Sequence, residues 1–542
     1  MVTRDRVRLD ADVYRPDAPG PFPVLLMRQP YGRAIASTVV YAHPIWYAAH
    51  GYIVVIQDVR GRGTSEGDFD LFTHEIADGE ETLHWAANLP GSNGTIGMYG
   101  FSYQGMTQLY AAASHHPALK TICPAMVGYD LYADWAYENG AFCLQANLGW
   151  AIQLAAETAR RQNDSIAHQT LSMAGKNLIF GDSVPTRSGI LNTLAPDSFY
   201  HTWLANSEPG QYWEQRSPKS LIDTIDLPML HIGGWYDTFL RGTLNLYQAM
   251  TAKSQHRQHL IVGPWSHLPW GRKVGAKDLG PQAVSPCDRL QLQWFDHYLK
   301  GHPSDLLTKP PVQLFELGTN QWIQRDRWAD TPPTPVYLMS DGLANFAEHG
   351  RLTGELPSAA PIPDVLVHDP WRPVPAHGGH AAIPSGPQER SAIDDRTDVL
   401  TYTSAPLTDD LHLAGDVTLY LYCSADAVSF DVSAVLSEVT PNGATYNLTQ
   451  GYTTIKSSAI ADLATHPIKL PLQSICARIA IGSALRLSLS ATCFPAYPVN
   501  PGTGESPKQA QLIHQQIITI TVVSGGNMPS HLHLPIVSAE TK

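Results

Sequence analysis

Thr95-Ile96-Gly97-Met98-Tyr99-Gly100-Phe101-Ser102-Tyr103-Gln104-Gly105 leads into the Ala-rich run Met106 to Ala113. The apolar first part predicts a strand and the run from Met106 a helix, with a glycine-flanked serine at the turn between them. That succession describes a nucleophile elbow. A nucleophilic serine must sit at a strained turn with its Oγ exposed. Side chains at Gly100 and Gly105 would collide with the neighbouring strand or helix, which explains the glycines. The second glycine comes one position later than in G-x-S-x-G, so the pattern takes its meaning from the elements on either side.

Those elements continue in both directions. Upstream, Val24 to Arg28 and Tyr52 to Ile56 read as short buried strands, and Glu75 to Ala86 as an acidic helix. Downstream, Leu119 to Val127 supplies another strand. Alternating strands and helices imply a largely parallel sheet covered on both faces. From about 128 to 220 the strand pattern gives way to aromatic, Ala- and Leu-rich segments such as Phe142 to Ala159. The strand pattern returns at Asp226 to Ile232 and at His259 to Val262, each followed by a helix-like run. Past about 335, short alternating segments (Val417 to Tyr422, Ile479 to Leu489, Gln516 to Val523) lie between Pro, Gly and Asp turns. That pattern predicts an all-β sandwich or jelly roll.

Composition sets outer limits. A chain of 542 residues with 43% hydrophobic content can build about two to four domains and a sizeable core. A net charge of −13 with no local Lys/Arg cluster argues against a nucleic-acid partner. The six cysteines show no C-x-x-C spacing, so buried free thiols are expected instead of a disulfide scaffold or a zinc site. No run reaches the ~18 apolar residues of a membrane span, and the first residues do not read as a signal peptide. The expectation is a soluble, cytoplasmic protein; homo-oligomerisation is left open.

In an open α/β sheet, reacting groups gather at the carboxyl ends of the strands. Ser102, Asp237 and His267 each stand at such an end, in the chain order of an α/β-hydrolase. A serine hydroxyl is protonated at neutral pH, so His267 would accept its proton and Asp237 would orient and stabilise the imidazolium. The tetrahedral oxyanion needs donors already aimed at it, each worth roughly 3–4 kcal/mol of barrier. The backbone N–H of Tyr103 is the expected first donor and the Tyr31 hydroxyl the second. Taken singly, each residue has a plain structural explanation, such as a helix cap or a turn aspartate. Their order and common placement favour the catalytic reading. His231 lies inside a strand and His297 inside a helix, which sets both aside. The glycine-rich Asp58-Val59-Arg60-Gly61-Arg62-Gly63 lacks the Lys-Ser/Thr of a phosphate loop and reads as a structural loop.

The chain also resembles the CocE/NonD hydrolases. The likeness is carried by Arg28-Gln29-Pro30-Tyr31-Gly32, Gln57-Asp58-Val59-Arg60-Gly61, Gly97 to Tyr103, Gly234-Trp235-Tyr236-Asp237 and Gly263-Pro264-Trp265-Ser266-His267. In the β region it continues through Leu400 to Leu407 and Tyr446 to Thr449. The resemblance implies an α/β-hydrolase fold with an inserted helical cap and a C-terminal all-β jelly-roll domain. It assigns the triad to Ser102, Asp237 and His267 and the oxyanion hole to Tyr31 and Tyr103. Amino-acid ester hydrolases of this group hold the substrate ammonium with carboxylates, one close to the triad aspartate. Here Thr238-Phe239-Leu240 follows Asp237, so that charge is missing, and an unpaired ammonium is costly to desolvate. Phe239 with Trp135 and Trp150 instead resembles the aromatic acyl pocket of the cocaine-esterase branch. The nearest counterpart of that branch's bulky third-domain pair is Gly378-Gly379-His380-Ala381-Ala382-Ile383, whose alanines would shrink the wall.

Together these readings predict a hydrolase domain at 1–127 and 221–335, a cap at 128–220 and a β domain at 336–542. They predict a serine hydrolase acting on a small-molecule ester, with amides as a further option and no metal or organic cofactor. The alternatives are an X-Pro dipeptidyl-peptidase, a glutaryl β-lactam acylase, acyl transfer to another nucleophile, and a non-catalytic binding protein.

Overall fold

The first half of the chain folds around a nine-stranded sheet whose strands are β1 (Ala11–Tyr14), β2 (Phe22–Gln29), β3 (Ile53–Asp58), β4 (Ser92–Phe101), β5 (Leu119–Ala125), β6 (Met229–Tyr236), β7 (Gln258–Ser266), β8 (Val312–Glu316) and β9 (Gln321–Arg325). The computed structural model describes residues 1–181, 184–328, 331–358, 362–456, 466–506 and 508–537. Their order is β1-β3-β2-β4-β5-β6-β7-β8-β9, with β2 to β8 parallel and β1 and β9 antiparallel at the two edges. The central strands are near-continuous apolar runs because both of their faces are covered. Val24 and Leu26 pack on one face with helices α1 (Glu75–Ala87) and α2 (Tyr103–Ala112). Leu25 and Met27 point the other way, toward Trp294 and Phe295 of the helix Cys287–Lys300.

Between β5 and β6 the chain leaves the sheet and forms helices, the longest being α3 (Leu144–Arg161) and α4 (Ser165–Lys176). Arg62 ties the rim of the sheet to α3: its guanidinium lies over the Phe69 ring and donates to the Leu154 carbonyl. The remaining eleven-stranded β domain begins at Thr334–Met339 and ends at His531–Leu534. Its apolar interior runs without a break into the nine-stranded sheet, since Trp235, Tyr236 and Leu314 share one cluster with Leu419 and Leu487.

Two local readings are corrected. The segment expected as one strand, Ile479 to Leu489, is the end of Ile468–Ile479 followed by Ala484–Ser490. A turn at Gly482, with φ 82°, separates them. Helix α2 begins at Tyr103, three residues earlier than the Ala-rich run suggested, because the turn at Ser102 points the chain directly into it. All six cysteines are free and buried. Among the described residues, no helix is long and apolar enough to cross a membrane.

Candidate active site

Ser102 follows the last residue of β4 with φ 59° and ψ −127°, a conformation that costs a non-glycine residue energy. Its neighbours are small for the reason foreseen. A Cβ on Gly100 would lie 2.5 Å from the Cβ of Gln104, and one on Gly105 would lie 2.4 Å from Val127 Cγ1. The turn therefore requires strand, helix and next strand to approach closely. Beneath it, Glu75 accepts from the Tyr103 hydroxyl at 2.7 Å and from Arg28 Nη1 at 2.5 Å, and Arg28 Nε donates to Gln57 at 2.8 Å. Arg28 is wholly buried, so this paired and hydrogen-bonded network fixes β2, α1 and the start of α2 against one another. The Tyr103 amide is the first N–H of α2 and makes no backbone hydrogen bond among the described residues.

Asp237 follows β6 and His267 follows β7. His267 Nδ1 lies 2.8 Å from Asp237 Oδ1. The carboxylate is fully buried and the imidazole 30% exposed, so only the histidine is reachable from outside. With Nδ1–H donated to the carboxylate, Nε2 is left as the basic nitrogen. Ser102 and His267 line one cavity of about 460 Å³. Among the described residues no hydrogen bond joins Ser102 Oγ to the imidazole. The Tyr31 hydroxyl lines the same cavity and accepts from Trp150 Nε1 at 3.1 Å. Desolvation pushes the Tyr31 phenol up to about 12, with the Trp150 and Ser102 donors opposing it, so at neutral pH it is an O–H donor.

The remaining residues singled out from the sequence meet at the same cavity. Trp135, in the turn Tyr132–Ala136, lies with its ring 4.3 Å from Phe239 and 5.0 Å from Trp150. Phe239 in turn meets the His267 ring edge-on at 5.1 Å. His380, Ala381, Ala382 and Ile383 of the β domain line the cavity too. Among the described residues, no aspartate or glutamate does.

Three contributors were not foreseen. Gln29 Oε1 accepts from the Tyr31 amide and its Nε2 donates to Asp58, both at 2.8 Å, which fixes the loop carrying the Tyr31 hydroxyl. From the β domain, buried Gln473 donates through Nε2 to the carbonyls of Trp235 and Asp237, at 2.9 and 3.1 Å. Nothing in its local sequence marks Gln473, because its partners lie more than two hundred residues away.

Comparison with known proteins gives a consistent result. Residues 5–269 match the family described as X-Pro dipeptidyl-peptidase (S15 family), and residues 306–533 match its C-terminal non-catalytic domain. Cocaine esterase of Rhodococcus sp. (strain MB1 Bresler) is 31% identical over 574 aligned positions, covering 98% of this chain and 97% of that one. Among solved structures, an aminopeptidase from a Thaumarchaeota archaeon superposes with TM-score 0.82 at 23% identity, covering 99% of this chain and 95% of that one. A CocE/NonD family hydrolase from Staphylococcus aureus gives TM-score 0.69 at 18% identity, with 99% and 92% coverage. The two structures share the fold, an α/β-hydrolase-like domain followed by a β domain, and the esterase shares the sequence along its whole length: the chain belongs to the CocE/NonD family of serine hydrolases.

Proposed function

We propose that the protein is an esterase in which Ser102 attacks the ester carbonyl, His267 moves the proton and Asp237 holds the imidazole. The carrying observation is that Ser102 and His267 share one cavity, with the buried Asp237 carboxylate behind the imidazole. Rotation of the serine hydroxyl toward Nε2 would bring nucleophile and base together. His267 then takes the proton as the bond to the carbonyl carbon forms and returns it to the leaving alkoxide; water repeats the sequence on the acyl-enzyme. The Tyr103 amide and the Tyr31 hydroxyl would stabilise the oxyanion.

The helical insert, residues 128–220, acts in this reading as a cap over the hydrolase domain (1–127 and 221–335), and the region 336–542 as a jelly roll closing one side of the pocket. Trp135, Trp150 and Phe239 form the acyl wall. With no carboxylate lining the cavity among the described residues, a substrate bearing a free α-ammonium would lose its hydration without a counter-charge, which favours uncharged acyl groups.

A fluorophosphonate probe should label Ser102 in the folded protein, and p-nitrophenyl esters should turn over far faster than X-Pro p-nitroanilide or glutaryl p-nitroanilide. Turnover of the X-Pro anilide alone would overturn the esterase reading. Tyr31→Phe should lower kcat about 10²-fold with little change in KM, because the lost donor serves charge that develops only in the transition state. An equal loss in KM alone would show that Tyr31 serves ground-state binding.

A further inference from the structure

One part of the pocket wall is a loop of the β domain built with unusual care. Gly379 and Gly386 exchange backbone hydrogen bonds of 2.8 Å in both directions, closing the segment between them into a ring. Ile383 N–H docks this loop on Gln145 of α3 at 3.2 Å. The loop delivers His380, with Ala381 and Ala382 beside it, to the cavity.

His380 is not merely filling space. Its Nε2 donates to Glu138 Oε2 at 3.0 Å, and the same carboxylate oxygen accepts from the Tyr497 hydroxyl at 2.6 Å. Arg241 approaches Glu138 at 3.6 Å and Asp134 at 3.3 Å. The His380 side chain is 2% exposed, Glu138 4% and Asp134 1%. Two carboxylates face one guanidinium, so a neutral imidazole would leave one buried negative charge uncompensated, whereas an imidazolium closes the balance. Burial pushes the Glu138 carboxyl up, but the His380 and Arg241 charges outweigh it and hold it down at about 2. The other ring nitrogen, Nδ1, has no hydrogen-bond partner among the described residues although the ring lines the cavity.

We propose that the surrounding carboxylates hold His380 as an imidazolium and that it determines specificity: its Nδ1–H donates to an acceptor oxygen in the acyl chain, selecting acyl groups that are apolar apart from one ether or keto oxygen. The inference rests on the esterase reading above. An acceptor placed there satisfies a donor that otherwise stays unpaired when substrate expels water. A carboxylate in that position would upset a charge balance already closed at zero, so the acceptor is uncharged. Trp135, Trp150, Phe239 and the two alanines form the apolar part of the wall, and Asn147, Gln153 and Ser385 also line the cavity.

The test compares p-nitrophenyl hexanoate with its isosteres p-nitrophenyl 4-methoxybutanoate and 3-ethoxypropanoate, each corrected for its rate with hydroxide. In these ethers one methylene is replaced by oxygen. The wild-type enzyme should hydrolyse at least one ether ester with kcat/KM equal to or above that of hexanoate, the gain appearing in KM. Both ethers falling below hexanoate would overturn the proposal. In His380→Leu the ether-to-hexanoate ratio should fall about fivefold or more; a smaller fall would also overturn it. Should that variant not fold, the wild-type comparison decides alone. Absence of Ser102-dependent hexanoate hydrolysis in the wild type would be a different result, removing the esterase reading beneath it.

Discussion

Replacing Ser102 with alanine is expected to lower kcat for p-nitrophenyl butyrate by about 10⁴-fold or more, with fluorophosphonate labelling abolished. The magnitude follows from the division of labour at the site. Alanine leaves the Tyr31 hydroxyl, the Tyr103 amide and the aromatic wall in place, so substrate still binds and the oxyanion donors still face the carbonyl. What disappears is the covalent route, and water attacking directly has neither the serine's position nor its entropy advantage. The fold should survive. Alanine carries a Cβ like serine and meets the same strain at φ 59°, and the substitution removes only the Oγ. The stability change should stay within about 1 kcal/mol, measured by denaturant unfolding. A variant that kept a tenth of wild-type turnover would remove Ser102 from the reaction.

The placement of Ser102, Asp237 and His267 at strand ends was legible because parallel strands must end somewhere, and their ends are punctuated. Ser102 stands between two glycines, Asp237 follows Gly233-Gly234-Trp235-Tyr236, and His267 follows Gly263-Pro264-Trp265-Ser266. Each apolar run that precedes them is buried on both faces, so periodicity and composition agree on where the sheet lies. The start of α2 at Tyr103 was harder to see, because Gln104-Gly105 weakens helix propensity locally and the turn at Ser102 overrides it. The false continuity of Ile479 to Leu489 has the opposite cause. Both of its halves alternate properly, and only Gly482 betrays the reversal.

The contacts made by the β-domain residues could not be read from the sequence. Gln473 reaches the carbonyl of Asp237 across 236 residues, and His380 reaches Glu138 across 242. Such pairs are set by how the β domain docks on the hydrolase sheet, and a single sequence contains no local period that encodes docking. Gln29 and Asp58 are intermediate. Both lie in the stretches that carry the family likeness, yet their hydrogen bonds to each other and to the Tyr31 amide emerge only from the adjacency of β2 and β3. The candidate site is thus assembled in two stages, with Ser102, Asp237 and His267 at strand ends and their positions refined by groups from elsewhere in the chain.

That division predicts a second large effect. Asp237→Asn should lower kcat by about 10⁴-fold near neutral pH while changing KM little. The wild-type carboxylate accepts Nδ1–H at 2.8 Å, leaving Nε2 free to accept the serine proton. An asparagine amide can instead donate to Nδ1, which puts the ring proton on Nε2 and disables the base. Even with its oxygen facing the ring, the neutral amide cannot offset the imidazolium charge that forms during attack. Because Asp237 is fully buried, no solvent replaces that missing charge. The loop itself should hold, since the hydrogen bonds from Gln473 go to backbone carbonyls that the substitution leaves alone. The readouts are therefore kcat and the rate of fluorophosphonate labelling, which should fall together, beside an unfolding midpoint that stays near the wild-type value. A loss of less than tenfold in kcat, with the fold intact, would mean that His267 finds its orientation without this carboxylate, and the assignment of Asp237 would fall.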